Sequence, residues 1–146
     1  MKSERLPVRL DPWRSARKQE RFRGSLPLAT MSRLGELLHG HHGEVRLRLE
    51  CGVDLTGIHY WRGELDTELE LLCQRCLTPF VWPLQLQFHL ALVDSERAVA
   101  ALDPSYEPLL VTDGLITVAD VIEEELLLAL PLIALHSESD CPQQRS

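Results

Sequence analysis

From Glu44 to Val93 the chain keeps a period of two for long enough to exclude most architectures. Val45, Leu47 and Leu49 alternate with Arg46, Arg48 and Glu50; Leu65, Thr67, Leu69 and Leu71 alternate with Glu64, Asp66, Glu68 and Glu70; Leu84, Leu86, Phe88 and Leu90 alternate with Gln85, Gln87 and His89. Successive side chains of a strand point to opposite faces, so each run has one dry side and one wet side. That is the pattern of an antiparallel sheet covered on a single face. Tyr60 and Trp61, between Gly57 and Gly63, mark a further short strand. The sequence has no Asn, so its turns rely on DLTG, RG and DG.

The flanking segments must supply the cover. Leu6, Val8 and Leu10 alternate with Pro7 and Arg9 and read as a short edge strand, because Pro7 cannot donate to a ladder. Asp11 and Pro12 then have the form of a helix N-cap and first helical residue. In WRSARKQERFR, Arg14, Arg17, Lys18 and Arg21 fall at i, i+3, i+4 and i+7, a single basic stripe on a helix, with Arg23 just beyond. Thr30 to His39 reads as a second helix that buries Met31, Leu34, Leu37 and Leu38 and stops at HGHHG, whose histidines fit an exposed loop better than a metal site. Beyond Asp94, Pro104 and Pro108 restrict helix, and Leu109 to Val111 can form a short strand. Thr117 opens a strong helix with Val118, Val121, Ile122 and Ala129 inward, Leu126 beside them, Glu123, Glu124 and Glu125 solvated, and Pro131 as its stop. The expected fold is α+β: an antiparallel β-sheet meander with an N-terminal helical segment and a C-terminal helix packed on one face.

Length and charge limit the function. A chain of 146 residues fits one domain, with a basic segment over 1–25, an acidic body over 26–141 and a short tail over 142–146. Residues 1–25 hold eight Lys or Arg against three Asp or Glu, the remainder seven against nineteen, for a net charge of −7. An acidic body repels polyanions, so a nucleic-acid contact concentrates in the basic segment, at Arg14, Arg17, Lys18, Arg21 and Arg23. Trp13 and Phe22 lie nearby, either to stack on bases or to anchor the core. The longest apolar run, Leu126 to Leu135, contains Pro131 and is too short to span a membrane, and Met1 to Arg5 has no secretory pattern. These features favour the cytosol.

Four cysteines in a cytosolic chain are expected to be reduced or metal-bound. Cys73 and Cys76 form CQRC at a hairpin end between two alternating runs, and His136 and Cys141 follow as an H-x4-C pair. Two such pairs make a closed tetrahedral set for structural zinc, although ordinary reduced thiols and a redox-active pair share the first spacing. Cys51 reads as a core thiol.

With these landmarks in order, the chain resembles the YceD-like family of large ribosomal RNA subunit accumulation proteins. The resemblance rests on LPVRLDP at Leu6 to Pro12, CQRCLTPF at Cys73 to Phe80, YEPLLV at Tyr106 to Val111, and EEELLLALPLIALHSESDC at Glu123 to Cys141. It implies a bacterial, cytoplasmic factor for the synthesis, processing or stability of large-subunit ribosomal RNA, with no catalytic centre and no membrane. Its expected partners are ribosomal RNA or a precursor, and ribosomal proteins. Family members commonly extend past the last cysteine into an apolar and basic tail, whereas this sequence stops at Ser146, which shifts weight onto the basic stripe. An adaptor that binds basic ribosomal proteins through Glu123 to Glu125 is the alternative within that pathway. A thiol oxidoreductase is the alternative outside it, disfavoured because CQRC leads into a strand-like run rather than opening a helix. No phosphate loop, GxSxG elbow or HExxH is present.

Overall fold

Strand pairing in the computed structural model follows the period-two runs. The structure describes residues 6–40, 43–73, 77–112 and 114–139, with side chains through residue 130. In chain order the elements are β1 (Arg9–Leu10), α1 (Pro12–Arg17), β2 (Arg21–Pro27), a 3-10 turn (Leu28–Thr30), α2 (Ser32–Gly35), β3 (Glu44–Val53), β4 (His59–Leu72), β5 (Pro79–Val93), α3 (Glu96–Ala100), β6 (Glu107–Leu110), β7 (Ile116–Thr117) and α4 (Val118–Ser139). The main sheet has the order β2-β3-β4-β5-β6. The run at Tyr60 and the run from Glu64 fuse into one strand, β4, which pairs with β5 from Tyr60↔Ala91 to Leu72↔Pro79.

The meander holds through β5 and then changes direction. β6 pairs parallel with β5, Leu90↔Glu107 to Val93↔Leu110, after a crossover that contains α3. That helix was not expected from the prolines, yet both lie downstream of it, and the Ser95 hydroxyl caps it by accepting the Ala98 N–H at 3.1 Å. β1 does not join the main sheet. It pairs with β7, and Val118 N–H at the start of α4 donates to Val8 carbonyl at 3.0 Å, which fastens the N-terminal segment to the last helix.

One side of the sheet is dry. Val45, Leu47, Leu49, Cys51, Trp61, Leu65, Leu69, Phe88 and Leu90 form a single buried cluster with Leu28, Met31 and Leu34 above them and Val118, Ile122 and Leu126 from α4. Burying each large apolar side chain contributes roughly 1.5–3 kcal/mol, so this face drives folding. Gly63 on β4 is required by the close approach: a Cβ there would meet Phe88 Cζ at 2.5 Å and the Arg48 carbonyl at 2.8 Å.

Three helix expectations are corrected. The second helix is the four residues of α2, and Leu37 lies beyond it, 57% exposed. Glu123 and Glu125 are buried, at 4% and 7% exposure, and only Glu124 of the three is solvated. For Glu123 the reason is a contact between α4 and α2: α2 has no side-chain cap of its own, and Glu123 Oε2 accepts the Leu34 N–H at 2.8 Å, with Arg33 beside it at 3.6 Å. α4 also continues through Pro131 to Ser139. Proline removes one donor to the carbonyl four residues back, which shortens the ladder there without ending the helix.

Candidate nucleic-acid interface

The four cations expected to form one helical stripe are split between the α1 segment and β2, and Arg23, expected just beyond the stripe, lies on β2 with Arg21. α1 begins as expected: Asp11 Oδ1 accepts from Trp13 N–H at 3.1 Å and Arg14 N–H at 3.3 Å, with Pro12 at the first helical position. It ends at Arg17, because Gln19 turns left-handed at φ 55° while Gln19 N–H bonds Ala16 carbonyl at 3.1 Å and Glu20 N–H bonds Ser15 carbonyl at 3.1 Å. These are the paired bonds of a Schellman stop, here without the usual glycine. Arg14, Arg17 and Lys18 are exposed on the outside of α1, whose Ala16 is buried in the core cluster on the dry side. Arg21 and Arg23 project instead from β2 on the opposite, wet side of the sheet, so a helical stripe that includes them does not exist.

On that wet side Arg21 and Arg23 meet cations the charge count had not singled out. Register aligns three transverse rows: Arg21, Glu50, Arg62 and His89; Arg23, Arg48, Glu64 and Gln87; Ser25, Arg46, Asp66 and Gln85. Within them Arg21 reaches Glu50 at 3.2 Å, Arg48 reaches Glu64 at 3.5 Å, Arg46 reaches Asp66 at 3.3 Å, and Arg62 donates a short forked bond to the same Glu50. The Arg62 bond is the main reason the Glu50 carboxyl titrates below its ordinary range, against the opposing effect of burial. Five arginines thus share three carboxylates. Arg23 lies opposite Arg48, and among the described residues no carboxylate pairs with it. The rows line an open groove of about 830 Å³ at the Arg21 end and a second of about 1020 Å³ beside it. Farther along β4 the face turns acidic at Glu68 and Glu70.

Aromatic rings edge the cationic half. His89 stands 5.6 Å from Tyr60, edge to face, and 4.4 Å from Tyr106, tilted, while Arg62 lies over the Tyr60 ring at 5.5 Å. Gly52 makes room, since a Cβ there would meet the Tyr60 hydroxyl at 2.6 Å. Tyr106 donates its hydroxyl to Asp54 Oδ2 at 2.6 Å. Asp54 also accepts from Thr56 and Ile58 to close the β3–β4 turn, and these bonds, Tyr106 first, hold its carboxyl far below the usual range. Burial and that hydrogen bond push Tyr106 up to about 12, and burial with the Arg62 charge lowers His89, leaving its ring uncharged at neutral pH. Arg46, Arg48, Arg62, Tyr60, His89 and Tyr106 all escaped the sequence reading. The alternation marks most of them as wet-face residues, but only strand register places them beside Arg21 and Arg23.

The sulfur site is described in part. Cys73 is buried at the end of the β4–β5 hairpin, where its N–H bonds Thr78 carbonyl at 3.0 Å and its carbonyl accepts Leu77 N–H at 2.8 Å. Cys76, Cys141 and the side chain of His136 lie outside the described residues. His41 and His42 do as well. Among the described residues no three His, Cys, Asp or Glu side chains are grouped to hold a metal. Cys51 is a buried core thiol as expected, pushed up to about 12 chiefly by burial.

Residues 61–146 match the family model for the large ribosomal RNA subunit accumulation protein YceD. Over 142 residues the chain is 28% identical to the Haemophilus influenzae large ribosomal RNA subunit accumulation protein YceD, covering 97% of this chain and 82% of that protein. No solved structure matches. With the family model matched across more than half of its length, the chain belongs to the YceD family of large ribosomal RNA subunit accumulation proteins.

Proposed function

We propose that this protein is a non-catalytic, cytoplasmic ribosome-biogenesis factor that supports accumulation of large-subunit ribosomal RNA by contacting that RNA or its precursor. The family supports the role in RNA accumulation. The direct contact is supported by one observation above all: a groove in which five arginines share three carboxylates and Arg23 faces Arg48 across the ladder. Exposed ion pairs contribute only about 0–1 kcal/mol each, so Arg46 and Arg48 can exchange a carboxylate for a phosphate at little cost. Arg14, Arg17 and Lys18 lie behind the sheet and act as a secondary, long-range attraction. The non-catalytic reading is supported by the state of the reactive groups: Asp54 is committed to its turn and Tyr106, and the Cys51 thiol stays protonated.

An adaptor built on Glu123 to Glu125 loses most of its basis, since Glu123 and Glu125 are buried. Crosslinking in cells, read out on both RNA and protein, tests the main reading. Crosslinks from β2 and β3 peptides to large-subunit ribosomal RNA or its precursor are expected. Crosslinks confined to ribosomal proteins would overturn direct RNA contact.

Cys73, Cys76, His136 and Cys141 stay proposed as a closed zinc set, supported by the burial of Cys73 at the end of its hairpin. Metal analysis of purified protein is expected to give one zinc per chain, and Cys73→Ser none.

A further inference from the structure

We propose that the RNA held on the wet face is single-stranded, its phosphates over Arg23 and Arg48 and its bases against the Tyr60, His89 and Tyr106 rings. The inference rests on the RNA-contact reading above and specifies the form of RNA it selects. The arginines and the rings lie on one side of one sheet: Arg23 and Arg48 in one row, Arg62 and His89 in the next, and Tyr60 and Tyr106 around His89. A strand of RNA crossing from β2 toward β5 passes within the groove from Arg23 and Arg48 to the His89 ring, with Tyr60 and Tyr106 against His89 beyond it. Gln87, opposite Glu64, and the uncharged His89 supply neutral hydrogen-bonding groups beside that path, suited to base edges rather than to phosphate.

A duplex fits this arrangement poorly. Its bases are stacked inside the helix, and proteins that grip double-stranded RNA do so by backbone and groove shape, with no need of aromatic rings. Unpaired bases can splay onto aromatic side chains, and a basic groove edged by rings is the general solution for single strands. A single-stranded partner uses both halves of the face, whereas a duplex or an acidic polypeptide uses only the arginines.

The test is anisotropy with labelled probes at fixed salt: a 12-nucleotide oligoadenosine, a 12-base-pair RNA duplex and a 12-residue polyglutamate. The full chain is compared with His89→Ala, His89→Phe and Arg23→Gln/Arg48→Gln. Stacking is worth enough that His89→Ala is expected to weaken oligoadenosine binding roughly tenfold and leave the duplex unchanged. His89→Phe, which keeps a π face, is expected to restore most of the loss. If His89→Ala loses its folded far-UV spectrum, His89→Gln takes its place. Equal affinity for oligoadenosine and duplex, tight binding of polyglutamate, or loss with His89→Phe as large as with His89→Ala would each overturn the single-strand assignment. Unchanged binding of both RNAs by Arg23→Gln/Arg48→Gln would instead overturn the underlying RNA-contact reading.

Discussion

Arg23 sits directly opposite Arg48 in the β2–β3 ladder, and of the two only Arg48 has a carboxylate beside it, Glu64 at 3.5 Å, among the described residues. Like charges facing each other across a sheet oppose folding by roughly 0.2–1 kcal/mol. Arg23→Thr is therefore expected to raise the melting temperature slightly at low salt while weakening RNA binding. Calorimetry and a binding titration on the same preparation check both halves, and a variant that loses stability and binding together would contradict them.

Glu123 caps α2 from α4, which makes it a structural residue. Glu123→Ala leaves the Leu34 N–H without its acceptor and Arg33 without its buried partner. Hydrogen bonds to charged groups contribute about 1.5–3 kcal/mol, so a loss of about 2 kcal/mol is expected in urea unfolding. Glu123→Gln keeps an acceptor and should lose less. Glu124, exposed and paired with Arg33 at 3.2 Å, should matter little when replaced by Gln.

At Gln19 the chain holds a left-handed residue at φ 55° without using glycine. A non-glycine residue there costs roughly 1–2 kcal/mol, partly offset by the extra freedom glycine has when unfolded. Gln19→Gly is expected to stabilise the fold by about 0.5–1 kcal/mol, and Gln19→Val to destabilise it. Denaturant midpoints measure both.

Glu125 gives the fold a pH dependence. Burial, reinforced by the charge and hydrogen bond of Glu107, raises its carboxyl to about 7 from an ordinary 4.5. The folded state therefore holds a proton that the unfolded state releases between those values. Across that window the contribution of Glu125 to stability falls as pH rises, and above about pH 7 the loss is complete. Glu125→Gln removes this slope, so its stability should exceed that of the parent at pH 8 more than at pH 5. Unfolding curves at the two pH values decide it.

The sheet was legible in the sequence because its signal is local. Alternation assigns Val45, Leu65 and Phe88 inward and Arg46, Glu64 and Gln87 outward before any partner is known. Three other features were not legible: the stop of α1 is local but carries no residue-type signal, and the other two depend on tertiary contacts that no window contains. Gln19 stops α1 with nothing in its residue type to announce it. Glu123 belongs to an acidic triplet that composition assigns to solvent, and only the orphan N–H of Leu34 draws it inward. Arg23 and Arg48 are 25 positions apart, and their confrontation exists only in the register of β2 against β3. Charge counting thus singled out two residues of the candidate interface, Arg21 and Arg23, but put Arg21 on a helix and left Arg23 just beyond it, where both belong to β2.

The most direct measurement is the salt dependence of RNA binding by Arg23→Gln/Arg48→Gln beside Arg14→Gln/Arg17→Gln/Lys18→Gln. Each phosphate contact on a single strand contributes about −0.7 to the slope of log K against log salt. Removing the wet-face pair should flatten the slope by about 1.4, and removing the three cations of the α1 segment should change it far less. A slope altered only by the α1 set would put the contact on the far side of the sheet and contradict the account.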